Sequence, residues 1–115
     1  MLPASVHIFV CTVPQDMRRS FDGLALAARQ QLGEDPQGGA LFVFVGKTKM
    51  RAKVLWFERN GFCILYKRLH RAVFMLPQGP SDGRPSVRID AGGLAELLAG
   101  VPKEIARKPR KSLDA

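Results

Sequence analysis

The run His7-Ile8-Phe9-Val10-Cys11-Thr12-Val13 is apolar and rich in β-branched residues, and Pro14 ends it. That is the pattern of a short strand. The period then changes. Met17, Phe21, Leu24, Ala25, Ala28 and Leu32 follow at steps of four, three, one, three and four, which gathers them on one face of a helix. The spacing predicts a helix over Gln15–Leu32, with Arg18, Arg19, Asp22 and Arg29 on its other sides. Gly33 would close it ahead of Pro36. Gly23 lies mid-helix, where glycine costs about 1 kcal/mol relative to alanine, and a close helix–sheet contact would explain it.

Asp35-Pro36-Gln37-Gly38-Gly39 reads as a turn, and Leu41-Phe42-Val43-Phe44-Val45 as a buried strand. A basic connection, Gly46–Lys53, leads to a strand at Val54–Phe57. Asn60-Gly61 between apolar runs signals a two-residue type I′ hairpin, returning along Phe62–Leu69. That turn would set Arg59 opposite Phe62, Phe57 opposite Ile64, Leu55 opposite Tyr66 and Lys53 opposite Arg68. The expected fold class is α/β of the α+β type: a curved antiparallel sheet built on this meander, one long helix packed on it, and a short C-terminal helix. That last helix is capped by Asp90, carries Leu94, Leu97 and Leu98, and closes at Gly100. Ser86–Ile89 reads as a short strand. The expected organisation is one domain over residues 1–101, with a mobile Gly- and Pro-rich loop at 78–85. A basic tail over 102–115, lacking apolar periodicity from Lys103 onward, is expected to be disordered.

Composition narrows the class. The 115 residues are 46% hydrophobic and 24% charged, which excludes collagenous, coiled-coil and wholly disordered chains. No apolar stretch approaches the roughly 18 residues of a membrane span. The N-terminus carries no signal-peptide pattern, so the expected location is the cytoplasm. Two cysteines, Cys11 and Cys63, cannot make a disulfide framework, and both sit in apolar runs as small hydrophobes.

Charge changes the picture more. Eighteen basic residues against ten acidic give +8, and a small domain this basic commonly meets a polyanion. Between Gly46 and Arg71 eight basic residues face only Glu58, so this stretch holds most of the excess. Lys47, Lys49, Arg51 and Lys53 alternate, and would aim to one side if extended. Trp56, Phe57, Phe62 and Tyr66 interleave with the charges, as on nucleic-acid-binding sheets. The alternative reading is that these aromatics, Trp56 and Phe57 above all, are core. A second cluster, Lys103, Arg107, Lys108, Arg110 and Lys111, lies in the tail, where basic arms often hold nucleic acid without sequence preference.

Candidate catalysis is thin. His7 and His70 have no partner at metal-ligand spacing, and no Cys-x-x-Cys or His-x-x-x-His occurs. The ten carboxylates are scattered. Gly46-Lys47-Thr48 resembles the end of a phosphate loop, but Leu41 stands where that motif needs a glycine, and a strand follows where it needs a helix. The reading is a non-enzyme with no cofactor, no metal and no small-molecule substrate.

Several blocks together resemble one bacterial family in order and spacing. They are Asp16-Met17-Arg18-Arg19-Ser20-Phe21-Asp22-Gly23-Leu24, Leu32-Gly33-Glu34-Asp35-Pro36, Leu41-Phe42-Val43-Phe44, Lys53-Val54-Leu55-Trp56, Gly61-Phe62-Cys63, Tyr66-Lys67-Arg68-Leu69 and Phe74–Pro77. The family is the TnpB accessory protein of insertion sequences of the sixty-six family, which is unrelated to the RNA-guided nuclease of the same name. The resemblance implies a small protein encoded beside a DDE-type transposase and assisting transposition, the transposase supplying the catalytic carboxylates. It leaves DNA, the cognate transposase, or both as partners. The chain departs from the family at Gly46–Lys53, which is poorer in arginine and aspartate than usual. It departs again at Phe57-Glu58, His70-Arg71-Ala72 and Leu76, where the family carries a second tryptophan and an aspartate, Glu-Arg-Gly, and tryptophan.

Charge and resemblance together point to DNA binding through residues 46–71. The candidate phosphate contacts are Lys47, Lys49, Arg51, Lys53, Lys67 and Arg68, with Arg18 and Arg19 at the helix start reinforcing them. Two alternatives stand beside this: a module docking on the transposase with little DNA affinity of its own, and an RNA-binding regulator of the operon.

Overall fold

The computed structural model describes residues 6–80 and 82–107. Five strands form one sheet in the order β4-β3-β2-β1-β6. They are β1 (Ile8–Cys11), β2 (Leu41–Val45), β3 (Arg51–Glu58), β4 (Gly61–Arg68) and β6 (Ser86–Ile89). Two short strands, β5 (Ala72–Val73) and β7 (Val101–Pro102), pair separately. Three helices accompany them: α1 (Phe21–Gln30), α2 (Ala91–Ala99) and α3 (Lys103–Arg107). None of these helices is long and apolar enough to cross a membrane.

The sheet is the middle layer of three. β2 lies at its centre and is buried at all five positions. A strand covered on both faces needs an unbroken apolar run, and Leu41-Phe42-Val43-Phe44-Val45 is one. Its side chains alternate between two cores. Phe42 and Phe44 join Cys11, Leu55 and the α1 residues Leu24, Ala27 and Ala28. Leu41 and Val43 join Ile8, Val10, Val54 and the α2 residues Leu94 and Leu97. A third cluster, Val45, Ala52, Leu69 and Phe74, continues the α2 side toward the β5–β7 ribbon. Cys11 is fully buried, which pushes its thiol pKa up and leaves it an inert apolar filler.

The mixed α/β class agrees with the sequence reading, and so do β2, β6 and α2. Asp90 caps α2 as expected, its carboxylate accepting from the Gly93 N–H at 2.7 Å. The sheet is not purely antiparallel. β1 runs parallel to β2, pairing Ile8 with Leu41 and Val10 with Val43, because α1 carries the chain back to the starting end between them. β6 then closes the other flank of β1 in antiparallel fashion, Ile8 opposite Ile89.

The helix predicted over Gln15–Leu32 is shorter, ten residues from Phe21. Two bonds hold the segment before it out of helical geometry. The Gln15 N–H donates to the Val45 carbonyl at 2.9 Å, extending the β1–β2 pairing past Pro14. The Asp16 carboxylate then accepts from the Arg18 N–H at 2.9 Å, forming a turn. Met17 still packs against the α1 core from that turn, which is why its spacing matched the helix period. At the other end α1 stops at Gln30 with Gln31 as its cap, and Gly33, expected to close the helix itself, turns the chain just beyond it with a left-handed φ of 68°, the Glu34 N–H donating to the Ala28 carbonyl at 3.1 Å. The atoms nearest to a Cβ placed on Gly23 belong to Arg19 and not to the sheet. A Cβ there would sit 3.1 Å from the Arg19 side chain, which lies back over it.

The β3–β4 hairpin also differs. Its turn residues are Arg59 and Asn60, with φ of 51° and 65°, rather than Asn60 and Gly61. Glu58 pairs with Gly61, Phe57 with Phe62, Leu55 with Ile64 and Lys53 with Tyr66. Each partner is displaced by two positions, so every side chain keeps its expected face. Packing decides the register. It sets Phe57 edge-to-face on Phe62 at 5.0 Å and places Leu55 beside Ile64 in the α1 core. Finally, Lys103–Arg107, expected without structure, forms α3, the Lys103 N–H donating to the Arg71 carbonyl at 3.1 Å. The tail beyond Arg107, including Lys108, Arg110 and Lys111, lies outside the described residues.

Candidate nucleic-acid interface

The connection Gly46–Arg51 is a tight reversal instead of an extended segment. The Gly46 N–H donates to the Arg51 carbonyl, and the Lys49 N–H to the Gly46 carbonyl, both at 3.0 Å. Lys49 takes a left-handed φ of 63°. The carbonyls of Lys49 and Met50 accept from the N–H groups of Phe74 (2.7 Å) and Leu69 (2.8 Å). The backbone of the turn is therefore anchored from the Leu69–Phe74 segment, while Lys47, Thr48 and Lys49 stay exposed.

Facing this turn is the segment Gln15–Arg18. Gln15 is buried and bridges to the far end of α1, its Nε2 donating to Gln31 Oε1 at 2.8 Å and to the Val13 carbonyl at 3.2 Å. Met17 presses so close to Gly46 that a Cβ there would lie 2.7 Å from Met17 Cγ. Glycine is what the close approach requires. Between the two walls lies a cleft of about 630 Å³, lined by Met17 and Met50 and by Arg18, Lys47, Arg51 and Arg68.

Four of the eight candidate contacts thus share one cleft. Arg51 and Arg68 are directly opposed across β3 and β4. Among the described residues neither has a carboxylate within salt-bridge distance. Like charges so placed destabilise a sheet. Arg18 differs: its guanidinium grips Asp16 through Nε and Nη2, at 2.7 Å for the shortest contact. That pair holds the Asp16 carboxyl far below the usual carboxylate range, so it stays ionised and keeps a negative charge beside Arg18 at every physiological pH. Asp16→Asn keeps the side-chain oxygen that closes the turn but removes its charge. On the expectation that Arg18 is a phosphate contact, the result is duplex affinity raised by about fivefold at physiological salt and a log–log salt slope steeper by about 0.9, read by anisotropy of labelled DNA.

The remaining candidates are placed elsewhere. Lys49 is exposed at the apex of the turn, outside the cleft. Arg19 is exposed but lies back over α1. Lys53 is only 9% exposed; its Nζ donates to the Arg19 carbonyl at 2.7 Å and lies 4.9 Å from the centroid of the Tyr66 ring. Lys67 points to the opposite face, where its Nζ donates to the Leu98 carbonyl at 2.6 Å near the end of α2. Both lysines serve the fold. The reversal at Lys47–Met50 explains the difference from the sequence expectation, since only Arg51 and Lys53 share a strand face. Trp56 and Phe57 are half-buried, Trp56 against the α2 core with its indole N–H donating to Glu58. The acid beside Arg18 is legible in the sequence only as Asp-x-Arg, a pattern that favours the turn bringing Asp16 onto Arg18.

The family described as IS66 Orf2-like protein matches residues 6–108. The chain belongs to this IS66 Orf2-like family. Two uncharacterized proteins of Sinorhizobium fredii are similar to it. The first, y4hO, is 35% identical over 103 residues, covering 88% of this chain and 87% of its own. The second, y4jC, is 30% identical over 107 residues, covering 92% and 89%. No solved structure matches. Membership of the IS66 Orf2-like family makes the chain a transposition-associated accessory protein and assigns it to no known enzyme class. The match runs through all five strands of the sheet and both walls of the cleft.

Proposed function

We propose that the chain assists transposition by binding DNA, gripping phosphates along the rim of the cleft with Lys47, Arg51 and Arg68 and with Lys49 from the adjacent apex. The observation that carries this reading is the opposed Arg51–Arg68 pair. It costs stability in the free protein, and a bound phosphate backbone would convert the repulsion into attraction. The family's association with transposition supports the choice of DNA, and the cognate transposase is the expected protein partner.

The docking alternative draws support from β4. It is an edge strand of eight residues with Leu65 and Tyr66 exposed, the kind of edge a second chain can pair with.

Fluorescence anisotropy of a labelled duplex against salt tests the proposal. Four phosphate contacts give a log–log slope near −3.6. A slope close to zero, or no binding at physiological salt together with a stable complex with transposase, would transfer the function to the β4 edge.

A further inference from the structure

On the α1-side face of the sheet, the group Arg51, Tyr66 and Arg68 is exposed. Tyr66, the only tyrosine of the chain, is 51% exposed on the edge strand β4. The ring is held in place. Lys53 lies directly opposite it in register and sets its ammonium 4.9 Å from the ring centroid, and that ammonium is itself anchored to the Arg19 carbonyl. Cation–π contact of this kind fixes a ring without covering all of it.

Its neighbours are cationic. Arg68 follows two residues along β4 on the same face, and Arg51 stands across from Arg68. Both guanidinium groups are exposed, and among the described residues neither has a carboxylate partner. They also line the cleft, which opens beside them. An isolated exposed tyrosine is unremarkable. A pre-positioned ring with two guanidinium groups beside one end of it, free of carboxylate partners among the described residues, has the components by which proteins hold unpaired nucleotides: a π-face for the base and cations for the adjoining phosphates. In a duplex the base faces are already stacked on one another, so a ring on a sheet edge has none to engage.

We propose that Tyr66 is a stacking platform for an unpaired base of single-stranded DNA, with Arg51 and Arg68, paired next to it on the cleft side, holding the adjoining phosphates. The proposal rests on the DNA-binding reading above and narrows its substrate to strands that are not paired. Lys53 is then a positioning residue, setting the ring from beneath.

The test is anisotropy with labelled oligothymidylate, a duplex of equal length, and oligouridylate, for the parent chain, Tyr66→Ala and Tyr66→Phe. The parent is expected to bind oligothymidylate about tenfold tighter than duplex. Tyr66→Ala should lose roughly five- to a hundredfold of single-strand affinity, the worth of one stacked base, and leave duplex affinity within about twofold. Tyr66→Phe retains the ring face and should bind like the parent, which separates stacking from any loss of folding. Duplex and single strand bound alike, with no effect of Tyr66→Ala, would remove the platform while leaving phosphate binding intact. Binding of neither DNA form would overturn the DNA-binding reading as well. A preference for oligouridylate of about tenfold would overturn the assignment to DNA, since the same stacking would then serve RNA.

Discussion

Replacing Lys47, Arg51 and Arg68 together by alanine is expected to weaken duplex binding by about a hundredfold at physiological salt and to flatten the salt slope by about 2.7. Each phosphate contact releases condensed counterions, and the three losses add in the logarithm of affinity. The same variant should be no less stable than the parent. Arg51 and Arg68 face each other across the strands, and among the described residues no carboxylate balances them, so removing both relieves a repulsion. Lys47 is exposed on the turn, whose backbone bonds do not involve its side chain. The two readouts are therefore expected to move in opposite directions: affinity falls while the melting temperature holds or rises slightly. A variant that lost both would show instead that these side chains support the fold.

Replacing Phe42 by alanine is expected to destabilise the protein by about 3–5 kcal/mol. Phe42 is fully buried in the centre of the sheet, stacked on Phe9 at 5.8 Å with 15° between the rings, and packed with Leu24, Ala27, Ala28, Phe44 and Leu55. A cavity at this place cannot collapse easily, because α1 and the neighbouring strands enclose it. Against a total stability of about 5–15 kcal/mol, such a loss removes a large fraction. It should lower the melting temperature by roughly 15–25 °C. Urea unfolding monitored by circular dichroism should show a lower midpoint with an unchanged slope. Phe42→Leu, which keeps most of the volume, should lose only part of that.

Much of this architecture can be read from the residues, and the parts that cannot share a cause. Periodicity reports which face a side chain takes. It identified β2 as buried on both sides, and it kept the faces of β3 and β4 correct even though their register differs by two positions. It does not report partners. The β1–β2 parallel pairing depends on where α1 returns the chain, which no local pattern encodes. Local turn preference favoured Asn60-Gly61, yet packing of Phe57 on Phe62 moved the turn to Arg59-Asn60. Met17 fitted the helix period because it reaches the α1 core, but it does so from a turn. The candidate site shows the same division. Counting charges located the basic stretch. Which cations remain at the surface followed from three-dimensional details: the reversal after Gly46, the Arg19 carbonyl waiting over Lys53, the Leu98 carbonyl within reach of Lys67, and Asp16 beside Arg18.

The pairing of Ile8 with Ile89 joins positions 81 residues apart. Closing so long a loop costs more conformational entropy than closing the β3–β4 hairpin, whose strands are joined by a two-residue turn. Among the strand pairings of the sheet the hairpin is accordingly the least costly to close, and the β1–β6 pairing the most costly. β1 and β2 precede β6 along the chain, so during synthesis the edge of β1 that β6 covers has no partner until Ile89 has followed. α2 comes directly after β6, so the strand that closes this edge and the helix that seals the Ile8–Val10 core arrive together. A nascent chain halted between Val45 and Ser86 would present that edge and an uncovered apolar face at the same time, and this is the interval in which a chaperone or a second nascent copy would find it.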